Sequence, residues 1–136
     1  MSRDPRITTD VEYVASVVNS GGIAGIPTET VYGLGARADL EESVFRIFDV
    51  KGRPRNHPLI AHLGVDVDFR QWGKFNENAE RLAEKFWPGP LTLLVPKTEK
   101  VGSWVTGGRE SVALRIPRHL VTLRLLSLVD EAIVAP

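Results

Sequence analysis

The apolar stretches of this chain are short, and glycine or proline interrupts them repeatedly. Proline removes a backbone donor and glycine favours turns, so helices and strands tend to end at these residues. Five segments combine such a constraint with a polar or cationic side chain: PTETVYGLG (27–35), KGRP (51–54), PLIAH (58–62), WPGPLT (87–92) and VALRIP (112–117). A plain hydrophobic core does not need this repeated pairing. The pattern therefore predicts several loops that converge on an anionic small molecule.

Between these breaks, helical and strand patterns alternate. Helices are expected after the capping patterns at Thr9–Glu12 and Asp39–Glu42, and over 76–86 and 118–128. Strands are expected at 23–26, 59–63, 91–95, 111–116 and 131–135. In the third helix, Leu82, Ala83 and Phe86 are expected to face the core. The alternation predicts a mixed sheet covered by helices.

Composition limits the possible classes of protein. The chain has 136 residues, 43% of them hydrophobic, which suits one domain over 1–136 with a real core. A formal net charge of +0 gives no global attraction to nucleic acid or membrane. The absence of cysteine excludes disulfides and a cysteine nucleophile. No apolar run approaches the roughly 20 residues of a membrane helix, and no apolar signal core is evident, so a cytoplasmic protein without a membrane partner is expected.

The basic turn Lys51-Gly52-Arg53-Pro54 is the first candidate binding segment. Two cations two residues apart, with Arg55 nearby, can grip a polyphosphate, arginine as a bidentate fork and lysine as a point charge. The alternative is that these cations only complement the dipole at the end of a helix. The turn by itself leaves both interpretations open.

Two polar side chains stand in strands that are otherwise apolar. Arg115 must meet an anion, because burying an unpaired guanidinium is very costly. That anion is either an internal carboxylate or a ligand carboxylate or phosphate. His62 is either a hydrogen-bonded core residue or a ligand contact. No second ligand at metal-binding spacing accompanies His62, so no metal site is expected.

Thr28 and Thr30 follow directly after a predicted strand. Hydroxyls at the carboxyl end of a strand are well placed to bind a ligand, and an ordinary turn with a threonine cap is the alternative. Gly33 and Gly35 allow close approach of the backbone. The turn at 87–90 is expected to be a rigid helix stop without chemistry, and the loop at 106–108 a weak candidate for closing over a ligand.

Taken in this order, the five segments, extended by Phe86 and Ser111, resemble the YrdC/Sua5 family, the threonylcarbamoyl-AMP synthases. The resemblance runs from about Val14 to Pro136. It implies an α+β fold of the YrdC/RibB-like type, with helices on both faces of a twisted mixed sheet around a basic concave cavity. It also implies synthesis of threonylcarbamoyl-AMP and pyrophosphate from ATP, L-threonine and bicarbonate, with Mg²⁺ accompanying ATP.

The resemblance assigns roles to residues of this chain. Lys51 and Arg53 are assigned to catalysis and to the ATP phosphates. His57 and Ser111 are assigned to ATP. Thr30, His62, Arg115 and Ala135 are assigned to threonine, whose carboxylate would pair with Arg115. Thr28 and Thr92 are assigned to the cavity wall.

The product of this reaction feeds the t6A modification of tRNA, which implies a downstream t6A transferase complex as a partner. In the family the strand ending in Ala-Pro continues into a Ser-x-Asn motif, whereas this sequence ends at Pro136. A domain incomplete at its C-terminus is therefore expected. The alternatives are a module that binds tRNA or double-stranded RNA, an inactive truncated paralogue, and a YrdC-like domain of a carbamoyltransferase.

Overall fold

The computed structural model describes residues 8–27 and 32–136. Its helices are α1 (Val11–Asn19), α2 (Glu41–Lys51), α3 (Glu77–Phe86), α4 (Ser103–Thr106) and α5 (Leu120–Val129). Its strands are β1 (Ala24–Pro27), β2 (Tyr32–Arg37), β3 (Ile60–His62), β4 (Leu93–Pro96), β5 (Ser111–Arg115) and β6 (Ile133–Ala135). The five predicted strands and four predicted helices are confirmed as elements, with ends that shift by at most two residues.

The strands form one six-stranded sheet in the order β1-β2-β6-β3-β5-β4. β3 and β5 are parallel, whereas the other neighbouring strands are antiparallel. The prediction of a mixed sheet is therefore confirmed.

Helices cover both faces of this sheet. α1 and α5 pack together against one face, where Val18, Leu125 and Ile133 belong to one buried cluster. On the other face, Phe48 of α2 and Val134 of β6 belong to a larger cluster. Adjacent residues of one strand point to opposite faces, which is why Ile133 and Val134 join different clusters. The α+β fold with helices on both faces is confirmed.

The helix starts differ from the capping prediction. The backbone N–H of Tyr13 donates to the carboxylate of Asp10, so Asp10 rather than Thr9 caps α1. Asp39 does not cap α2, because its carboxylate accepts hydrogen bonds from the guanidinium of Arg37. In both places the capping pattern locates the helix to within two residues and misassigns the side chain.

Two further expectations are corrected. Leu82 and Phe86 are exposed, and Ala83 is the buried residue of α3. α3 packs beside the edge strand β4, so only a narrow part of its surface faces the core. β2 was not predicted as a strand, because its two glycines weaken the strand signal.

No helix in the two described stretches has the length and apolar character needed to cross a bilayer.

Candidate functional site

Strand register brings several of the predicted site residues onto one face of the sheet. His62 pairs with Arg115 on β5 and with Ile133 on β6, and residues paired across neighbouring strands point to the same face. Two residues earlier on β3, Ile60 pairs with Ala135 of β6. Since side chains two apart on a strand share a face, Ala135 lies on the face of His62 and Arg115. Ser111, four residues before Arg115 on β5, also belongs to this face.

This face is covered at one end and open at the other. Ile133 packs beneath α1 and α5, whereas Leu94 of β4, which pairs with Ala113, is 72% exposed. Ser111 and Ala113 are half-buried. The open part therefore adjoins the buried His62 and Arg115, and a small ligand lying there would meet both strands.

His62 is buried and held by the backbone. Its Nδ1 lies 3.2 Å from the carbonyl oxygen of Ile133. A carbonyl only accepts hydrogen bonds, so Nδ1 carries the proton and Nε2 is the acceptor in the neutral ring. This contact fits the core interpretation of His62, and its assignment to threonine stays a prediction.

Arg115 is buried, with 6% of its surface exposed, and its Nε–H donates to the carbonyl oxygen of Gly89 at 3.2 Å. The Gly89 N–H donates in turn to the carbonyl of Ile116 at 2.8 Å. A Cβ at Gly89 would lie 2.4 Å from the carbonyl oxygen of Phe86, so only glycine fits this turn. The turn at 87–90, which was expected to have no chemistry, therefore orients Arg115.

The basic turn follows α2 and is exposed. Gly52 ends the helix in the left-handed conformation with φ of 65°, as the sequence predicts. Arg55 lies 3.9 Å from the carboxylate of Asp49 and 4.2 Å above the ring of Phe45. Among the described residues, neither Lys51 nor Arg53 has such a partner. These two cations are therefore available to an external anion.

Topology brings the basic turn to the same edge of the sheet as Ser111. Residues 52–59 lead into β3 and residues 107–110 lead into β5, and these two strands are parallel. Their leading segments therefore lie at one edge. β6 runs in the opposite direction, so Ala135 at its end lies at that edge too. We call residues 51–57 the loop half of the site, and His62, Ser111, Arg115 and Ala135 the sheet half.

The remaining predicted residues are less well placed. Thr92 is exposed and lies one residue before β4. His57 is half-buried, and its backbone N–H donates to the carbonyl of Pro54 at 3.0 Å. Thr28 and Thr30 lie outside the described residues.

Two hollows in the described surface are lined by other residues. One of about 400 Å³ lies between the 65–70 segment and α3, and one of about 610 Å³ is bordered by Lys74, Lys97 and Lys100. Neither is lined by a residue of the sheet half or the loop half. The basic concave cavity therefore stays a prediction.

Comparison with known proteins places this arrangement in a family. The sequence profile of the Sua5, YciO and YrdC proteins, described as "Telomere recombination", matches residues 16–136. The chain belongs to this family.

Two relatives of the Sua5/YciO/YrdC chain are named threonylcarbamoyl-AMP synthase. The one from Pyrococcus abyssi is 46% identical over 127 residues, covering 93% of this chain and 37% of the relative. The one from Bacillus subtilis is 39% identical over 138 residues, covering 99% of this chain and 38% of the relative. The chain thus spans less than two fifths of the length of these two proteins.

A solved structure shares the fold. The crystal structure of P. abyssi Sua5 complexed with L-threonine superimposes with a TM-score of 0.89 at 45% identity, covering 97% of this chain and 39% of that chain. The resemblance predicted from the five segments is confirmed at the level of family and fold.

Sequence reasoning missed the role of Gly89. The signal was present, because a glycine between two prolines directly after a helix fixes a carbonyl in space. What the sequence does not show is that this carbonyl meets Arg115, since strand register and the path of the turn together decide that contact.

Proposed function

We propose that this chain is the YrdC-like domain of a threonylcarbamoyl-AMP synthase, and that it binds L-threonine and ATP next to each other at the open sheet face. The observation that carries the proposal is the register that places His62 beside Arg115 on the face that also holds Ser111 and Ala135. A relative 45% identical to this chain has been solved with L-threonine, which supports an amino acid as one ligand.

The sheet half would hold threonine and the loop half would hold the nucleotide. Arg115 is a fixed cation for the threonine carboxylate, because Gly89 and the strand already restrict its orientation. Lys51 and Arg53 provide exposed positive charge for the phosphates. Such a division would bring the amine of threonine close to the α-phosphate, which is the geometry that the reaction needs.

In the proposed reaction the nitrogen of the neutral threonine amine forms a bond to the carbon of bicarbonate, and water leaves, which gives a carbamate. A carbamate oxygen attacks the α-phosphorus of ATP, the bond between that phosphorus and the bridging oxygen breaks, and pyrophosphate leaves with the electron pair. Negative charge spreads over the phosphate oxygens in the transition state, and Lys51 and Arg53 would stabilise it. No protein nucleophile is required.

Mg²⁺ is expected to enter with ATP. In 8–27 and 32–136, no three His, Asp or Glu side chains cluster as a metal site, so phosphate oxygens would supply most of its ligands. Bound there, the ion would neutralise phosphate charge. A t6A transferase complex that consumes the product belongs to the same proposal.

The proposal is tested by measuring pyrophosphate release from the chain of 136 residues with ATP, L-threonine and bicarbonate. Omission of threonine or of bicarbonate should each abolish release. If the chain binds ATP and threonine in calorimetry and yet releases no pyrophosphate, it is a binding domain rather than a synthase. Binding of neither ligand contradicts the proposal as a whole.

A further inference from the structure

The segment before β5 makes close contacts with the loop half of the site. Nη1 of Arg109 donates to the carbonyl oxygen of Asn56 at 2.8 Å and to that of Thr106 at 3.3 Å. Asn56 lies beside His57, and Arg109 lies two residues before Ser111. The guanidinium of Arg109 thus connects the segment that carries His57 with the segment that carries Ser111. Both residues are assigned to ATP, together with Lys51 and Arg53.

The fit between these segments depends on a glycine. Gly107 ends α4 with φ of 62°, and a Cβ there would lie 2.1 Å from the carbonyl oxygen of Asn56. The neighbouring Gly108 also has a positive φ of 82°, but a Cβ there would meet nothing within 4 Å. Close contact with the loop half therefore requires glycine at 107 and not at 108.

The other described contacts of the loop half hold it to α2 or α4 rather than to β5. The N–H of Arg53 donates to the carbonyl of Phe48 at 3.0 Å, and Arg55 contacts Asp49 and Phe45 of α2. The N–H of Leu59 donates to the carbonyl of Val105 at 2.9 Å, which holds the end of the segment against α4. The bond from His57 N–H to the Pro54 carbonyl lies within the loop and cannot fix it to the sheet. Arg109 is therefore the described side chain that ties the middle of the segment to the strand carrying Ser111.

We propose that Arg109 and Gly107 form a latch that positions the loop half for nucleotide binding. That the latch serves a nucleotide rests on the proposed function. The contacts of Arg109 and Gly107 are observed in the structure and do not depend on it. A loop held in place before the nucleotide arrives loses less entropy on binding, so the latch should strengthen ATP affinity without altering threonine affinity. Arg109 is a positioning residue here, because its Nη1 donates hydrogen bonds to backbone carbonyls of the protein rather than to a ligand.

The first experiment measures amide hydrogen exchange in the chain without ligand. In Arg109→Ala, the His57 amide should exchange at least about tenfold faster than in the wild type, because the loop opens more often. Arg109→Lys should restore part of the protection, since its ammonium can donate to one carbonyl. Arg81→Ala, which removes an exposed arginine paired with Glu77, is the matched control and should leave this exchange unchanged.

The second experiment measures binding of ATP with Mg²⁺ and, separately, of L-threonine by calorimetry. Arg109→Ala should weaken ATP binding at least about fivefold and leave threonine binding within twofold. Gly107→Ala should weaken ATP binding more than Gly108→Ala, since both carry the cost of positive φ and only the first collides with Asn56.

The outcomes separate the latch from the proposed function. Unchanged exchange at His57 in Arg109→Ala overturns the latch, even where ATP binding is lost, because Arg109 then contacts the nucleotide directly. A wild-type chain that does not bind ATP overturns the proposed function, and the exchange experiment still decides the latch. Equal losses in Gly107→Ala and Gly108→Ala also overturn it.

Discussion

The sheet half of the candidate site is largely buried and fixed by strand pairing, whereas the loop half is largely exposed and fixed at few points. Arg115 is held by the pairing of its strand and by the Gly89 carbonyl. Lys51 and Arg53 extend from the end of α2 with no anionic partner among the described residues. The three cations of one candidate site are therefore held in place by different means. Substitutions in the sheet half should change stability and ligand binding together, and those in the loop half should change only binding and catalysis.

The largest expected effect is on catalysis, from substitutions in the loop half. Lys51→Ala or Arg53→Ala should reduce pyrophosphate release at least about 100-fold, because each removes a positive charge that would stabilise the negatively charged transition state. The free energy of unfolding should stay within about 0.5 kcal/mol of the wild type, as for most exposed side chains.

Arg55→Ala is the matched control in the same loop. Its guanidinium already has Asp49 and Phe45 as partners, so pyrophosphate release should fall less than about threefold. Retained turnover in both Lys51→Ala and Arg53→Ala would refute their assigned role.

The next largest effect is expected from Arg115→Ala in the sheet half, which should weaken threonine binding and also lower the stability of the fold. Threonine affinity should fall about 100-fold and ATP affinity much less. The free energy of unfolding should fall by about 2–4 kcal/mol, because the substitution leaves a hollow and an unsatisfied Gly89 carbonyl.

Calorimetry and denaturant unfolding test this pair of effects, with Arg124→Ala as the control. Arg124 is exposed and pairs with Glu12 at 3.3 Å, so its loss should affect neither quantity appreciably. Equal losses of threonine and ATP affinity in Arg115→Ala would contradict the division of the site into two halves.

The next effect is on stability alone and concerns the packing around the sheet half. Gly35 of β2 faces Ile133, which shares the sheet face with His62. A Cβ at position 35 would lie 2.7 Å from Cγ2 of Ile133, so Gly35→Ala should lower the free energy of unfolding by about 1–3 kcal/mol. Gly25→Ala, in the paired strand β1, meets nothing within 4 Å and should be nearly neutral. If the two variants unfold at the same denaturant concentration, this face is less tightly packed than the structure indicates.

The features that the sequence could predict are those decided by residues close together in the chain. The end of α2 was predicted because Gly52 adopts the left-handed conformation through its own lack of a Cβ, and the start of α3 because Asn76 caps it with a short-range bond. The family resemblance likewise depends on contiguous segments. These features are decided within a few residues of the chain.

The features that the sequence did not predict depend on distant partners. The resemblance assigns His62 and Arg115 to one ligand, but their place beside each other follows from the pairing of two parallel strands, which no local pattern reveals. The contact between Arg109 and Asn56 joins segments 53 residues apart. The error at Asp39 is local instead, because its carboxylate accepts hydrogen bonds from Arg37, two residues away. Long-range pairing therefore decides the geometry of the candidate site.

The smallest expected effect tests whether the sheet half can be stabilised without changing its chemistry. Glu131 lies two residues before β6, the strand that ends at Ala135. Burial raises the pKa of its carboxyl above the ordinary value, the N–H of Ala132 opposes this, and the charge of Asp39 adds to it. The folded state therefore keeps the proton at pH values where the unfolded chain has lost it, and the stability from this group falls as pH rises between the two pKa values.

Glu131→Gln removes this titration and keeps an oxygen that can accept the hydrogen bond from Ala132, now 3.0 Å from the carboxylate. The free energy of unfolding should rise by about 0.5 kcal/mol at pH 7 and match the wild type near pH 4, because the wild-type carboxyl is then protonated. Denaturant unfolding at the two pH values measures the difference. Pyrophosphate release should stay unchanged, since Glu131 lies outside both halves of the site. A gain at pH 4 equal to that at pH 7 would mean that packing rather than charge limits stability here.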